Sequence, residues 1–254
     1  MEAYLLIAAA VLGAIFGSFI NALSYRFNTG RGMGGRSYCD TCGHTLGALD
    51  LVPIFSYIFL RGRCRYCRAK ISIQNPLVEV VGGILSALTW LETGSVAGFI
   101  FWFAVWMILL FVVVYDLRHT IIPWSCSILL ALLSIASLFI DFHSATFHMP
   151  GLWALAAGPL LALPLFLVSL VSGGRWMGWG DGALELSLGW FLGLAGGASA
   201  LMLAFWSGAL LGIVLILFKK GLKMNSELPF APFLVFGMFL VYFFHVDVFS
   251  FFSL

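Results

Sequence analysis

Every lysine and arginine in this chain lies in alternate gaps between long apolar runs. The runs fall at Ala3–Leu23, Leu77–Leu91, Val96–Tyr115, Ile122–Ile140, Leu152–Val171, Gly182–Ala195, Ala198–Phe218 and Phe230–Phe252. A bilayer core of about 30 Å needs roughly 20 apolar residues per helix, and the runs approach that scale. The first gap carries Arg26, Arg31, Arg36, Arg61, Arg63, Arg65, Arg68 and Lys70. The third holds Arg118, the fifth Arg175, and the seventh Lys219, Lys220 and Lys223. Cations concentrate in cytoplasmic loops, so the odd gaps are expected inside and both termini outside. The short sixth run is needed as a helix, because without it the last lysines change sides.

Composition closes the soluble alternatives. Of 254 residues, 62% are hydrophobic and 9% charged, against about 45–50% and 25% in globular domains. The expected fold is an all-α polytopic membrane protein with about eight transmembrane helices. Only Ser24–Pro76 forms a sizeable polar stretch. Met1-Glu2 provides no basic start and the first run is long enough to span, so it reads as a retained helix rather than a cleaved signal. A net charge of +2 with no basic tract gives no nucleic-acid signal.

That polar stretch contains Cys39-Asp-Thr-Cys42 and Cys64-Arg-Tyr-Cys67. Paired C-x-x-C knuckles suit a tetrahedral, zinc-ribbon-like site. Two disulfides or four unremarkable thiols are the alternatives, and disulfides are disfavoured in a reduced cytoplasmic loop. A closed four-thiolate site leaves no position for water, so a structural role is expected. Between the pairs, Leu51–Leu60 is too short to span and is expected at the interface. Cys126, alone in an apolar run, reads as a small buried residue.

The eleven acids sort by position. Glu2, Glu92, Asp141 and Asp247 at external ends, and Asp40, Asp50 and Glu227 in cytoplasmic loops, are expected to be solvated. Glu79, Asp116, Asp181 and Glu185 lie at or within spans, where an ionisable group is costly and tends to have a purpose. Asp116 ends the third run and Asp181 precedes the sixth, so the alternation puts both at the cytoplasmic edge. Two carboxyls sharing a site hold one proton between them. One can take a proton from water while the other donates to a scissile carbonyl. A helix cap for Asp181, and a partner for Arg118 or His119 for Asp116, are the alternatives. Gly178-Trp-Gly180-Asp181 leaves the backbone bare beside the carboxylate, so a substrate strand can approach; a flexible loop or a helix start is the other reading of these glycines.

Taken in order, these motifs resemble the bacterial prepilin peptidases, membrane aspartic enzymes of the GxGD type that process type IV pilin precursors. Gly17-Ser18-Phe-Ile-Asn21 with Arg26 resembles the opening motif. The cysteine loop follows, with Leu51-Val-Pro-Ile-Phe-Ser56 and Arg61-Gly-Arg-Cys64, and then Asn75-Pro-Leu-Val-Glu79. Asp116 with Ile122-Pro123 resembles the first catalytic motif, Gly178–Asp181 the second, and Pro229-Phe-Ala-Pro-Phe233 the closing one. Two positions depart: Ala183 stands where the family often has lysine, and Trp124 where it often has an acid.

The resemblance implies an endopeptidase that removes a basic leader from type IV prepilins or pseudopilins at the cytoplasmic face of the bacterial inner membrane. It also implies methylation of the new N-terminus with S-adenosylmethionine. Residues 1–91, with the metal loop at 24–76, would form the methyltransferase portion, and residues 96–254 the peptidase. Gly17, Ser18, Asn21, Arg26 and Glu79 are the candidates for methyl transfer. From the residues alone, the first three are equally helix-packing positions, Arg26 an interfacial anchor, and Glu79 an acid favouring a helix start. The rival classes are a cation transporter or channel gated by the zinc loop, and a non-catalytic pilin assembly factor. A transporter predicts acids near the midplane; an assembly factor tolerates loss of either aspartate.

Overall fold

In lipid, an apolar segment satisfies its own backbone only by coiling into a helix or joining a closed barrel. The computed structural model describes residues 2–28, 35–142, 146–218 and 229–249, with helices at all eight runs. Arg31, Lys219, Lys220, Lys223 and Glu227, used in the sequence reading, lie outside the described residues. The chain divides into two compact units, Met1–Val114 and Tyr115–Leu254.

The first unit holds α1 (Glu2–Arg26), the short α2 (Phe55–Phe59), α3 (Gln74–Thr93) and most of α4 (Val96–His119). Helices α1 and α3 pack directly on each other. Their contact runs through Gly13 and Gly17 on one side and Gly82 on the other, a small-xxx-small seam that lets backbones meet. A Cβ at Gly17 would lie 2.6 Å from the Val78 carbonyl oxygen. Across the same seam the Ser86 hydroxyl donates to the Ala9 carbonyl at 2.6 Å. The expected interfacial run is α2, whose Phe55, Ile58 and Phe59 are exposed.

The second unit continues with α5 (Trp124–Phe139), a two-residue antiparallel pair β1 (Ile140–Asp141) and β2 (Thr146–Phe147), α6 (Leu152–Ser172), α7 (Trp179–Phe218) and α8 (Ala231–Phe244). Helix α7 packs against α5, α6 and α8. At 40 residues it would measure roughly 60 Å if straight, about twice the bilayer core. It is broken at Gly193, whose φ of 71° and ψ of −179° are not helical. It therefore comprises two helices, the expected sixth and seventh. Helix α6 tolerates Pro159 because the Leu155 carbonyl, deprived of its i+4 N–H, accepts the Trp190 indole N–H at 2.9 Å.

Three expectations need correction. The eighth span was expected to reach Phe252, but α8 ends at Phe244, where His245 turns left-handed at φ 52°. Asp247 beyond it is not simply solvated: its Oδ1 accepts from the Ser199 hydroxyl at 3.2 Å and the Phe249 N–H at 2.9 Å. Nor is Asp50, as shown next.

Candidate functional site

The cysteine loop is two copies of one knuckle. The Cys39 N–H donates to the His44 carbonyl, and Gly43 N–H returns to Cys39. The Cys64 N–H donates to Ala69 and Arg68 N–H returns to Cys64, in the same register. Bridges Tyr38–Thr45 and Arg63–Lys70 close each knuckle. Gly43 and Arg68 occupy the equivalent left-handed position, at φ 69° and 62°. The four Sγ atoms lie within 4.8 Å of one another. Zinc–sulfur bonds of about 2.3 Å put tetrahedral sulfurs about 3.8 Å apart, and Cys39 and Cys67 are 3.8 Å apart. None of the cysteines is in a disulfide. Backbone N–H groups of Cys42 and Thr41 lower the Cys39 thiol to about 6, while, against the Ala69 N–H, burial and the neighbouring thiols push Cys67 up to about 11, as expected of four crowded thiols that share one negative charge. The cluster could hold a thiophilic metal ion.

Asp50 ties the second knuckle to the preceding turn. Its carboxylate pairs with the Arg65 guanidinium at 2.7 Å and accepts from Gly47 N–H at 3.1 Å. Burial opposes ionisation, but those two partners hold the carboxyl below its ordinary range. The expectation of a solvated Asp50 fails because the 25-residue repeat of the knuckles brings Arg65 to it.

Beside the metal loop lies a cavity of about 740 Å³, lined by Ser18, Asn21, Arg26, Asp50, Asn75 and Glu79 among others. Asn21 Nδ2 donates to Asn75 Oδ1 at 2.6 Å. Glu79 is buried and its Oε2 accepts the Ile54 N–H at 2.6 Å. Arg26 donates to the carbonyls of Gly35 and Arg36. Four of the five residues predicted for methyl transfer thus share one chamber, whereas Gly17 stands at the helix seam. Sequence reading missed Asn75 as a partner. Its place after a polar loop and before Pro76 was the available signal.

In the second unit, Asp116 sits in the last turn of α4 and Asp181 in the first turn of α7, both nearly excluded from solvent. Through the Gly180–Ile122 contact the end of α4 comes against the Gly178–Asp181 turn, near enough for the charge of Asp116 to act on Asp181. Asp181 Oδ2 accepts the Gly178 N–H at 3.1 Å, and Gly178 accepts the Asp181 N–H in return. A Cβ on Gly180 would lie 2.8 Å from that of Ile122, so this glycine lets the Ile122-Pro123 corner close on the carboxylate turn. Asp116 Oδ2 accepts the N–H of Ala231 at 3.3 Å. Ala231 opens α8, with proline in its first turn, and an N-terminal helix amide favours an anion. That amide was not foreseen; the Pro-Phe-Ala-Pro spacing was its signal.

A family model described as "Bacterial Peptidase A24 N-terminal domain" matches residues 11–93. A relative from Burkholderia pseudomallei (strain K96243), named "Prepilin leader peptidase/N-methyltransferase", is 31% identical over 90% of this chain and 82% of its own. A Pseudomonas putida relative of the same name is 30% identical over 91% and 88%. One from Pectobacterium carotovorum subsp. carotovorum is 28% identical over 91% and 90%. No solved structure matches the chain.

Proposed function

The chain belongs to the prepilin leader peptidase/N-methyltransferase family, and on that premise we propose that it carries two chemistries in two portions. Residues 96–254 form the peptidase, with Asp116 and Asp181 as the catalytic pair; residues 1–91 form the methyltransferase. The substrates are type IV prepilins or pseudopilins, met at the cytoplasmic face of the bacterial inner membrane, with both termini of the chain on the other side. Reporter fusions at Gly221 and Leu254 are expected to report opposite sides.

The observation that carries the peptidase reading is the packing of the Gly178–Asp181 turn on Ile122, just past Asp116, which brings two carboxyls from distant parts of the sequence near each other. With one proton shared, the ionised member deprotonates water as its oxygen bonds to the scissile carbonyl carbon. The protonated member donates to the carbonyl oxygen. Collapse of the tetrahedral intermediate breaks the C–N bond, and a proton from the pair leaves with the amine. The acids lie at helix ends rather than mid-span, which disfavours a transporter.

Zinc is proposed for Cys39, Cys42, Cys64 and Cys67, where it would fix the loop. S-adenosylmethionine, which supplies an electrophilic methyl group, is proposed for the chamber beside it. The volume suits a cofactor, and the buried Glu79 carboxylate suits a sulfonium cation. Asn21 and Asn75 supply amide donors and acceptors; Arg26 and Ser18 line the rim. Co-expression with a prepilin, followed by weighing the pilin, tests the reading. Loss of the leader and gain of one methyl group are expected; an uncut precursor would overturn it.

A further inference from the structure

The start of α7 buries five consecutive residues, from Asp181 to Glu185. Glu185 is 0% exposed, and neither of its carboxyl oxygens has a hydrogen-bond partner. An ionised carboxylate with no partner in an apolar interior is prohibitively costly. A neutral one still leaves a donor and an acceptor unmet. Among the described residues, the helices packed on α7 offer no cation: α5 has only Cys126, α6 nothing ionisable and α8 only Tyr242. On its own helix the other ionisable group is Asp181, on which the charge of Asp116 acts. A hydrophobic residue would fill this position at no such cost.

The spacing shows what the carboxyl can reach. Helix residues four apart share a face with Cβ atoms about 5–6 Å from each other. One water making two hydrogen bonds of about 2.8 Å closes that span. Buried waters occur where polar groups lack protein partners.

We propose that Glu185 is a positioning residue of the proteolytic pair, holding an internal water between its carboxyl and Asp181. The neutral Glu185 donates to the water, and the water donates to Asp181, steadying it as the proton-accepting member. This inference rests on the aspartate-pair reading, which Asp181→Asn tests by itself: retained cleavage there would sink that reading, whatever residue 185 does.

The experiment compares Glu185→Leu and Glu185→Gln in the full-length protein. It follows leader cleavage against pH, thermal unfolding, and methylation of a precut pilin as a control. Leucine removes the unpartnered carboxyl, so the unfolding midpoint should hold or rise. Cleavage should nevertheless slow about tenfold, the scale of one lost hydrogen bond to a charged group. Its acid limb should move to higher pH, since Asp181 loses a donor that favours its ionised form. Glutamine keeps a donor and an acceptor and should restore both rate and limb, with methylation unchanged throughout. A leucine variant with normal rate and limb would overturn the proposal, and so would equal slowing by glutamine. Should the leucine chain fail to fold, Glu185→Met against Glu185→Gln makes the same comparison.

Discussion

The metal loop and the aspartate pair are assembled in opposite ways. In the loop, each knuckle is closed within a few residues by its own backbone, and the second repeats the first 25 positions later. The pair draws on the end of α4, the start of α7 and the first amide of α8. A locally closed site needs little from the bundle around it, beyond the proposed metal ion that would join its halves. A site gathered from three helices depends on how those helices pack, and each group in it lacks a local substitute. The two portions should therefore fail separately.

The largest expected effect is on the gathered site. Asp116→Asn should lower leader cleavage by about 10³-fold or more, within the range for loss of an acid–base group. Methylation of precut pilin should stay near normal, and mass spectrometry of both substrates reads the split. Parallel loss of both activities would mean that the portions are not separable. Next comes replacement of all four loop cysteines by serine. Bound zinc, measured by elemental analysis, should fall from about one equivalent per chain to none. Methylation should fall with it and cleavage less, because the metal's binding free energy is part of the folding free energy of the loop. Unchanged metal content would reject the site.

A smaller effect tests the bundle itself. Trp190→Phe removes the donor to the Leu155 carbonyl that Pro159 leaves open. It should destabilise the second unit by about 1 kcal/mol, read as a lower thermal midpoint, with zinc content untouched. The smallest runs the other way. Arg68 holds the left-handed position that glycine fills in the first knuckle, so Arg68→Gly should stabilise the loop by up to about 1 kcal/mol. The expected readout is slower zinc release to a chelator. Faster release would show that the side chain matters more than the backbone there.

Sequence alone determined the membrane fold, because lipid forces each long apolar run to satisfy its own backbone. It also determined the four-cysteine cluster, since C-x-x-C spacing is a local geometry. The break between the sixth and seventh helices was expected between Ala195 and Ala198, and its placement at Gly193 was not legible. Glu79 was legible as an acid at the start of a span and Asn21 through the family resemblance; that Ile54 and Asn75 answer them was not. Only the tertiary structure decided that the Asp181 turn packs on Ile122 just past Asp116, that the Ala231 amide donates to Asp116, and that Glu185 is buried without a partner. The physical reason is range. Backbone closure and knuckle geometry are settled within a handful of residues, whereas a shared carboxylate site depends on which helices pack side by side. Helix–helix packing in lipid is set by side-chain shape and small-residue seams such as Gly13, Gly17 and Gly82, and apolar patterning does not specify it.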